Sequence, residues 1–328
     1  MRSENMKPVA LLLAAAAALG AQSPAEDLIE AGHWKRARAL VEARLRQAPN
    51  DPLAICLTSQ IRFAFGDSNT PLKLAEQALA LDGASSKYHR QVAEVIGVMA
   101  QHANMFQQLL LARRFKKEID AAIALDPKNI QSLRDLMEFY LLAPGIAGGD
   151  KAEARAVADR IGRADRSQGF SVSARLAEFD KGWGTAEALL RRAVEAAPER
   201  YKAKIELAQF ELANEHRNVD AAEAAARQAL EMDATRVDAY SVLAEVFASR
   251  GQWADLDGLL AAADAAVPDD WAPHYRAAEA MLRTGRNLTA AQRNLQKYLT
   301  QEPEGNQPTA AQARQKLELA RREGARTQ

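Results

Sequence analysis

The strongest constraint on the fold is a repeat of about 34 residues. Its clearest unit spans residues 237–270, where large and small apolar residues at helical spacing precede Gly251, Trp253, a second apolar helix and Pro268. The glycine permits a sharp turn after the first helix, and the proline stops the second helix. The unit therefore predicts a hairpin of two antiparallel helices.

The same pattern recurs along the chain. Successive units close at residues 49, 83, 127, 166, 198, 234, 268 and 303, which are 34, 44, 39, 32, 36, 34 and 35 residues apart. The abundance of alanine favours helix, and no strand-turn-strand signal stands between alternating apolar runs. Because each hairpin buries its apolar face against the next, we predict an all-α, right-handed α-solenoid of about eight antiparallel helical hairpins.

This order of residues resembles the tetratricopeptide repeat (TPR). The likeness implies one TPR-like solenoid domain over residues 22–328, closed by a charged capping helix over 308–325. The two long units, over 86–166, are similar to a group of exported bacterial TPR proteins with an APGIAGGD-type loop insertion. That resemblance implies export and a scaffold role, and it supplies no catalytic residues. The ten extra residues of the 44-residue unit predict that both of its helices are longer by more than one turn.

The N-terminus has the composition of a secretory signal peptide over residues 1–21. Two basic residues precede an uncharged apolar run over 9–19, and small residues allow cleavage near Gly20 or Ala21. The run is shorter than the ~20 residues that a membrane-spanning helix needs. We expect a periplasmic or secreted mature chain without a membrane span. An uncleaved anchor and a cytosolic amphipathic start are the alternatives.

Charge and residue types argue against several function classes. The 43 basic and 43 acidic side chains leave no basic excess of the kind that nucleic-acid binding requires. The five histidines show no metal-binding spacing, and no nucleophile motif accompanies them. We therefore predict no cofactor, no metal and no enzymatic activity. The single cysteine, Cys56, lies among apolar residues and is expected to be a small buried hydrophobe.

The stretch APGIAGGDK, residues 143–151, has a composition like that of a phosphate-binding loop. Its spacing is wrong, because Asp150 stands five residues after Gly145 where a second glycine is needed, and Lys151 is followed by alanine. We interpret it as an enlarged turn in which Pro144 stops one helix and the glycines adopt positive φ. A contact point that protrudes from the edge of the solenoid is the alternative. Asp150 is the predicted N-cap of the next helix, with Glu153 in a capping-box position.

The remaining candidate surface is the concave groove, which first-helix side chains line in the TPR family. The polar or aromatic residues that the register places there are Lys87, Arg90, Glu94, Gln131, Arg134, Glu138, Arg175, Glu178, Lys202, Gln209, Ser241, Glu245, Tyr275 and Glu279. The competing interpretation is that most of them are ordinary solvated positions. The basic and amide clamp with which some relatives hold a chaperone tail is absent.

Three hypotheses follow for function. The first is an exported, non-enzymatic scaffold or adaptor that binds a protein or peptide partner in the groove. The second is an envelope accessory factor for polysaccharide or outer-membrane biogenesis that binds a glycan or lipid, with Tyr275, Phe139, Tyr140 and Trp183 as aromatic platforms. The third is an enzyme subunit whose chemistry a partner supplies.

Overall fold

The computed structural model describes residues 22–213 and 217–326, and this part of the chain holds 17 α-helices and no strand. The helices are α1 Pro24–Glu30, α2 Trp34–Gln47, α3 Pro52–Ala64, α4 Pro71–Leu81, α5 Ser86–Gln101, α6 Met105–Leu125, α7 Ile130–Leu142, α8 Lys151–Ala164, α9 Arg166–Phe179, α10 Trp183–Ala196, α11 Tyr201–Ala213, α12 Val219–Met232, α13 Val237–Arg250, α14 Trp253–Ala266, α15 Ala272–Thr284, α16 Leu288–Tyr298 and α17 Ala310–Arg326. The predicted signal peptide, residues 1–21, lies outside the described residues. None of the described helices is long and apolar enough to cross a membrane.

Helices α1 to α16 pack in consecutive pairs, so that each odd-numbered helix is the first of a hairpin and the next is the second. Each hairpin also packs on its neighbour, and α17 lies against α15 and α16. The apolar core therefore runs along the chain between hairpins, as in an α-solenoid. The prediction of an all-helical solenoid is confirmed.

Small residues set the distance between the two helices of most hairpins. In the unit that defines the repeat, Ala244 on α13 is fully buried, and Gly251 ends that helix with φ of 75°. The corresponding close-packing positions of the second helices are all at most 2% exposed, and they are Ala37, Ala78, Ala122, Ile161, Ala193, Ala229, Ala263 and Tyr298. The alanines among them present short side chains, which let the two helices pack closely without leaving voids.

The third hairpin is lengthened unequally, whereas its ten extra residues predict a gain of more than one turn in both helices. Helix α6 has 21 residues against 14 in α8, but α5 has only 16 against 13 in α7. The asymmetry arises where α6 begins, because Asn104 accepts a hydrogen bond from the backbone N–H of Gln107 and starts the helix early.

The solenoid also turns back on its own beginning. Trp34 on α2 packs against Gly305 in the loop between α16 and α17. The backbone N–H of Asn306, in the same loop, donates to the carbonyl of Ala64 at 2.8 Å. These contacts join the two ends of the described chain and close the superhelix, and nothing in the repeat pattern predicts them.

Candidate partner-binding groove

The first helices α5, α7, α9 and α11 form one wall of the solenoid. Contacts join α5 to α7 and α9 to α11. Apolar side chains of these helices pack within their own hairpins and against neighbouring hairpins. This wall carries most of the residues that were predicted to line the groove.

Ion pairs connect neighbouring first helices across this wall. Nε of Arg90 on α5 lies 2.7 Å from a carboxylate oxygen of Asp135 on α7. On the other side of α7, Glu138 accepts from Arg175 on α9 at 2.9 and 3.3 Å. All four side chains are partly buried, and these pairs fix the relative positions of three helices.

One further pair shows that the wall is concave. Nη1 of Arg134 on α7 lies 3.5 Å from Oε1 of Glu206 on α11, although α9 stands between those helices in the order of first helices. Side chains two helices apart meet only where the wall curves inward. The structure thus places α7, α9 and α11 around a hollow.

A cavity of about 610 Å³ occupies this hollow. Six predicted groove residues line it, namely Gln131, Arg134, Glu138, Arg175, Glu178 and Gln209. Further lining residues were not predicted to face the groove, among them Asp135, Ser171, Glu206 and Phe210, whereas Trp183 was predicted only as an aromatic platform. The rings of Trp183 and Phe210 lie 6.5 Å apart and give the cavity an apolar wall. The position of Glu206 was predictable from the sequence, because it lies four residues after Lys202 and three before Gln209 and therefore shares their helix face.

Burial in and beside the hollow disfavours charge of both signs. Burial raises the pKa of Glu178, and together with the neighbouring carboxylates of Glu138 and Glu206 it outweighs the opposing effect of Arg175. Burial also lowers the pKa of Lys202, and repulsion from Arg134 adds to it. The charged groups of a peptide in this space would form ion pairs with these side chains in place of their present partners.

The predicted residues on α5 lie outside the cavity. Lys87 forms an ion pair with Glu26 of α1, so it holds the first hairpin in place. Glu94 lies 3.7 Å from Arg90, and its Oε2 is buried without a hydrogen-bond partner. Burial raises the pKa of Glu94, and Asp135 adds to the effect against Arg90.

Toward the C-terminus the predicted groove residues are engaged in structural contacts. Glu245 on α13 pairs with Arg217 at 2.5 Å and with Arg283 at 3.1 Å. Glu279 on α15 pairs with Lys316 of α17 at 2.7 Å. Ser241 is half-buried, and its hydroxyl has no hydrogen-bond partner. The C-terminal helix thus covers part of the surface that the register assigned to the groove.

Tyr275 corrects the sequence interpretation. It was expected at the groove surface, yet it is only 3% exposed, and its ring packs 5.2 Å from that of Tyr298. The ammonium of Lys316 lies over the same ring, because α17 covers α15. Among the other proposed aromatic platforms, Phe139 stacks on Phe115 at 5.1 Å and is half-buried.

The enlarged turn has a structural explanation. A 3₁₀ turn, Gly145–Ala147, follows α7, and Asp150 caps α8 by accepting from the backbone N–H groups of Ala152 and Glu153. Positive φ occurs at Gly148 but not at the other two glycines, contrary to expectation. Gly149 is required for a different reason, because a Cβ there would lie 1.7 Å from the carbonyl oxygen of Ala143.

Comparison with known proteins places the chain in a structural class. No family model matches it, and no curated protein matches it. Its fold is similar to a thermophilic TPR protein from Thermus thermophilus, with TM-score 0.50, 18% identity and coverage of 57% of this chain and 95% of the other. Yeast Tom70 aligns with TM-score 0.61 and 16% identity over 93% of this chain, which spans 62% of the Tom70 chain.

A third similar structure is human IFIT1 in complex with m7Gppp-AAAA, with TM-score 0.50, 15% identity and coverage of 89% of this chain and 70% of the other. At such identities these likenesses show the fold alone. The chain therefore has a TPR-like helical-repeat fold.

Proposed function

We propose that this protein is an exported, non-enzymatic scaffold that binds a protein or peptide partner in its concave groove. The observation that carries the proposal is the 610 Å³ cavity between α7, α9 and α11, in which Arg134, Glu138 and Arg175 form cross-helix ion pairs. An extended peptide with charges of both signs matches this lining, since it exchanges protein–protein ion pairs for protein–peptide ones. Trp183 and Phe210 offer an apolar surface for one of its side chains.

Export is part of the proposal and rests on the N-terminal sequence. The apolar run over 9–19, preceded by two basic residues, has the composition of a signal peptide. In this account the mature chain works in the periplasm or outside the cell, and its partner is a protein of the same compartment.

Two other ligand classes fit the groove less well. RNA binding needs cationic side chains available for phosphates, whereas Arg90, Arg134 and Arg175 each have a carboxylate partner. A glycan needs exposed aromatic faces, whereas Tyr275 is buried, Phe139 is stacked on Phe115, and Trp183 is half-buried against Phe210.

The test is photo-crosslinking in the cells that naturally express the protein. A crosslinking amino acid replaces Gln209 or Gln131, which are exposed residues that line the cavity. The matched control replaces Glu195, which is exposed on α10 and does not line the cavity. We expect a discrete protein adduct from the cavity positions alone, lost when Arg175→Glu is added. Equal adducts at Glu195, or adducts to RNA or glycan, would contradict the proposal.

A further inference from the structure

The third and fourth hairpins present an unusual apolar surface outside the groove. Of the twelve large apolar side chains that are exposed in residues 22–213 and 217–326, six fall in two segments that meet at one edge of the solenoid. These six, here called the apolar tip, are Met99, Met105, Phe106, Leu110, Leu142 and Ile146. Phe106 and Ile146 are each 84% exposed, which is far more than a side chain in a groove.

The tip projects because α6 is long. Its 21 residues exceed the 14 of α8 by seven, which is ~10 Å at 1.5 Å per residue. The turn Gly145–Ala147 packs beside α6. A notch of about 310 Å³ between them is lined mainly by apolar groups, including Val98, Ala112 and Leu142. The surface is thus a projection with an apolar notch at its side.

Charge is arranged along one face of α6. Phe106, Leu110, Arg113 and Lys117 are separated by four, three and four residues, so they share a face. The apolar pair stands at the tip, and the basic pair follows ~10 Å farther along the helix. Both basic side chains are exposed, and neither forms an ion pair within the described part of the chain. No Asp, Glu, Lys or Arg occurs in residues 95–112 or 139–149.

The carboxylates nearest to the notch belong to the groove wall. Glu94, Asp135 and Glu138 line its inner end, where Glu94 and Asp135 face Arg90 and Glu138 pairs with Arg175. The outer surface of the tip therefore carries two unpaired positive charges behind an uncharged apolar projection.

We propose that the apolar tip docks on an anionic lipid surface. Phe106, Leu110 and Ile146 enter the boundary between headgroups and acyl chains, and Arg113 and Lys117 contact the anionic headgroups above it. Projecting apolar groups with basic residues at headgroup depth are the arrangement that interfacial binding requires. The tip is separate from the cavity, so the lipid proposal does not depend on the proposed partner binding.

The test is vesicle flotation with the full chain. The vesicles contain equal parts phosphatidylglycerol and phosphatidylethanolamine, and vesicles of phosphatidylcholine serve as the uncharged comparison. We expect binding to the anionic vesicles that weakens with salt, as screening of exposed charges requires. The variant Phe106→Asp with Ile146→Asp should lose binding, whereas Leu125→Asp should keep it. Leu125 is 46% exposed at the opposite end of α6.

A second pair of variants tests the basic residues. Arg113→Gln with Lys117→Gln should weaken binding to the anionic vesicles about tenfold or more. The control, Lys73→Gln with Arg163→Gln, removes two exposed charges elsewhere and should bind like the wild type. Unchanged binding of either tip variant would overturn the proposal. The proposal would also be overturned if the wild type did not bind the vesicles but formed dimers that these substitutions abolish. That result would assign the tip to contact with a second copy of the chain.

Discussion

The backbone N–H of Lys35 donates a hydrogen bond of 2.6 Å to Oε1 of Glu304, which joins α2 to the loop between α16 and α17. Glu304 is 3% exposed, so its carboxylate is buried where this bond joins the two ends of the solenoid. Beside it, Arg36 contacts both carboxylate oxygens of Asp269 at 2.6 and 2.7 Å. Repeat proteins ordinarily contact only neighbouring repeats, whereas here the first and last hairpins stabilise one another.

Removing the acceptor should open this closure. Glu304→Ala leaves the Lys35 N–H without a partner in a buried setting, which costs about 1–3 kcal/mol. Glu304→Gln keeps an acceptor oxygen and should preserve the closure. We expect the radius of gyration from small-angle scattering to increase for Glu304→Ala but not for Glu304→Gln. An unchanged radius in both variants would show that the contact does not hold the superhelix closed.

A buried carboxyl near the closure predicts a pH dependence of stability. Burial raises the pKa of Asp270 to about 7, and Glu304 adds to it against the N–H of Ala272 and the charge of Lys35. The folded state therefore favours the protonated form. Asp270 contributes its full stabilisation below its ordinary pKa of 3.8. The stabilisation declines as the pH rises toward 7, and above about pH 7 it is lost and no longer changes with pH.

Asp270→Asn should abolish this dependence, because an amide does not titrate in this range. Its oxygen can still accept from the N–H of Ala272, as Oδ1 does at 2.9 Å. The difference in melting temperature, variant minus wild type, should be larger at pH 8 than at pH 4 by about 2 °C or more. Thermal unfolding followed by circular dichroism measures this difference. Parallel melting curves for the two proteins across that range would contradict the assignment.

The enlarged turn predicts opposite outcomes for two of its glycines. Gly149→Ala forces a Cβ against the carbonyl of Ala143, which requires the backbone to move. We expect a loss of about 1–3 kcal/mol of unfolding free energy. Gly145→Ala has nothing within 4 Å of its new Cβ and should change stability by less than about 0.5 kcal/mol. Denaturant titration distinguishes the two, and equal effects would refute the role given to Gly149.

The thiol of Cys56 should be inert in the folded protein. It is 2% exposed, and burial raises its pKa to about 12. Thiolate is the reactive form, so a thiol reagent at pH 8 should modify Cys56 only after denaturant is added. Rapid stoichiometric modification of the native protein would contradict its position in the core.

Local chemistry explains why much of the fold was predictable from sequence. Gly251, Pro268 and the buried alanines act within one hairpin, and the 34-residue spacing repeats their effect. The capping role of Asp150 was likewise predictable, since it depends on residues two and three positions away. Such features need no knowledge of the complete superhelix.

The unpredicted features depend on the curvature of the superhelix, which no single repeat encodes. Arg134 reaches Glu206 across an intervening helix, and Lys35 meets Glu304 although the two are 269 positions apart in the chain. Tyr275 was misplaced for the same reason, because the position of α17 over α15 decides whether that ring is exposed. The individual groove residues followed from the register, but their pairings required the three-dimensional arrangement.

Binding in the cavity between α7, α9 and α11 is most directly tested by the affinity for the partner that crosslinks at Gln209. Titration calorimetry compares the wild type with Arg175→Glu, with Arg175→Glu plus Glu138→Arg, and with Arg163→Glu on the outer helix α8. We predict that Arg175→Glu weakens binding about tenfold or more, that the exchanged pair restores part of it, and that Arg163→Glu binds like the wild type. Equal affinities for the wild type and Arg175→Glu, with both proteins folded, would contradict the assignment of this groove as the binding site.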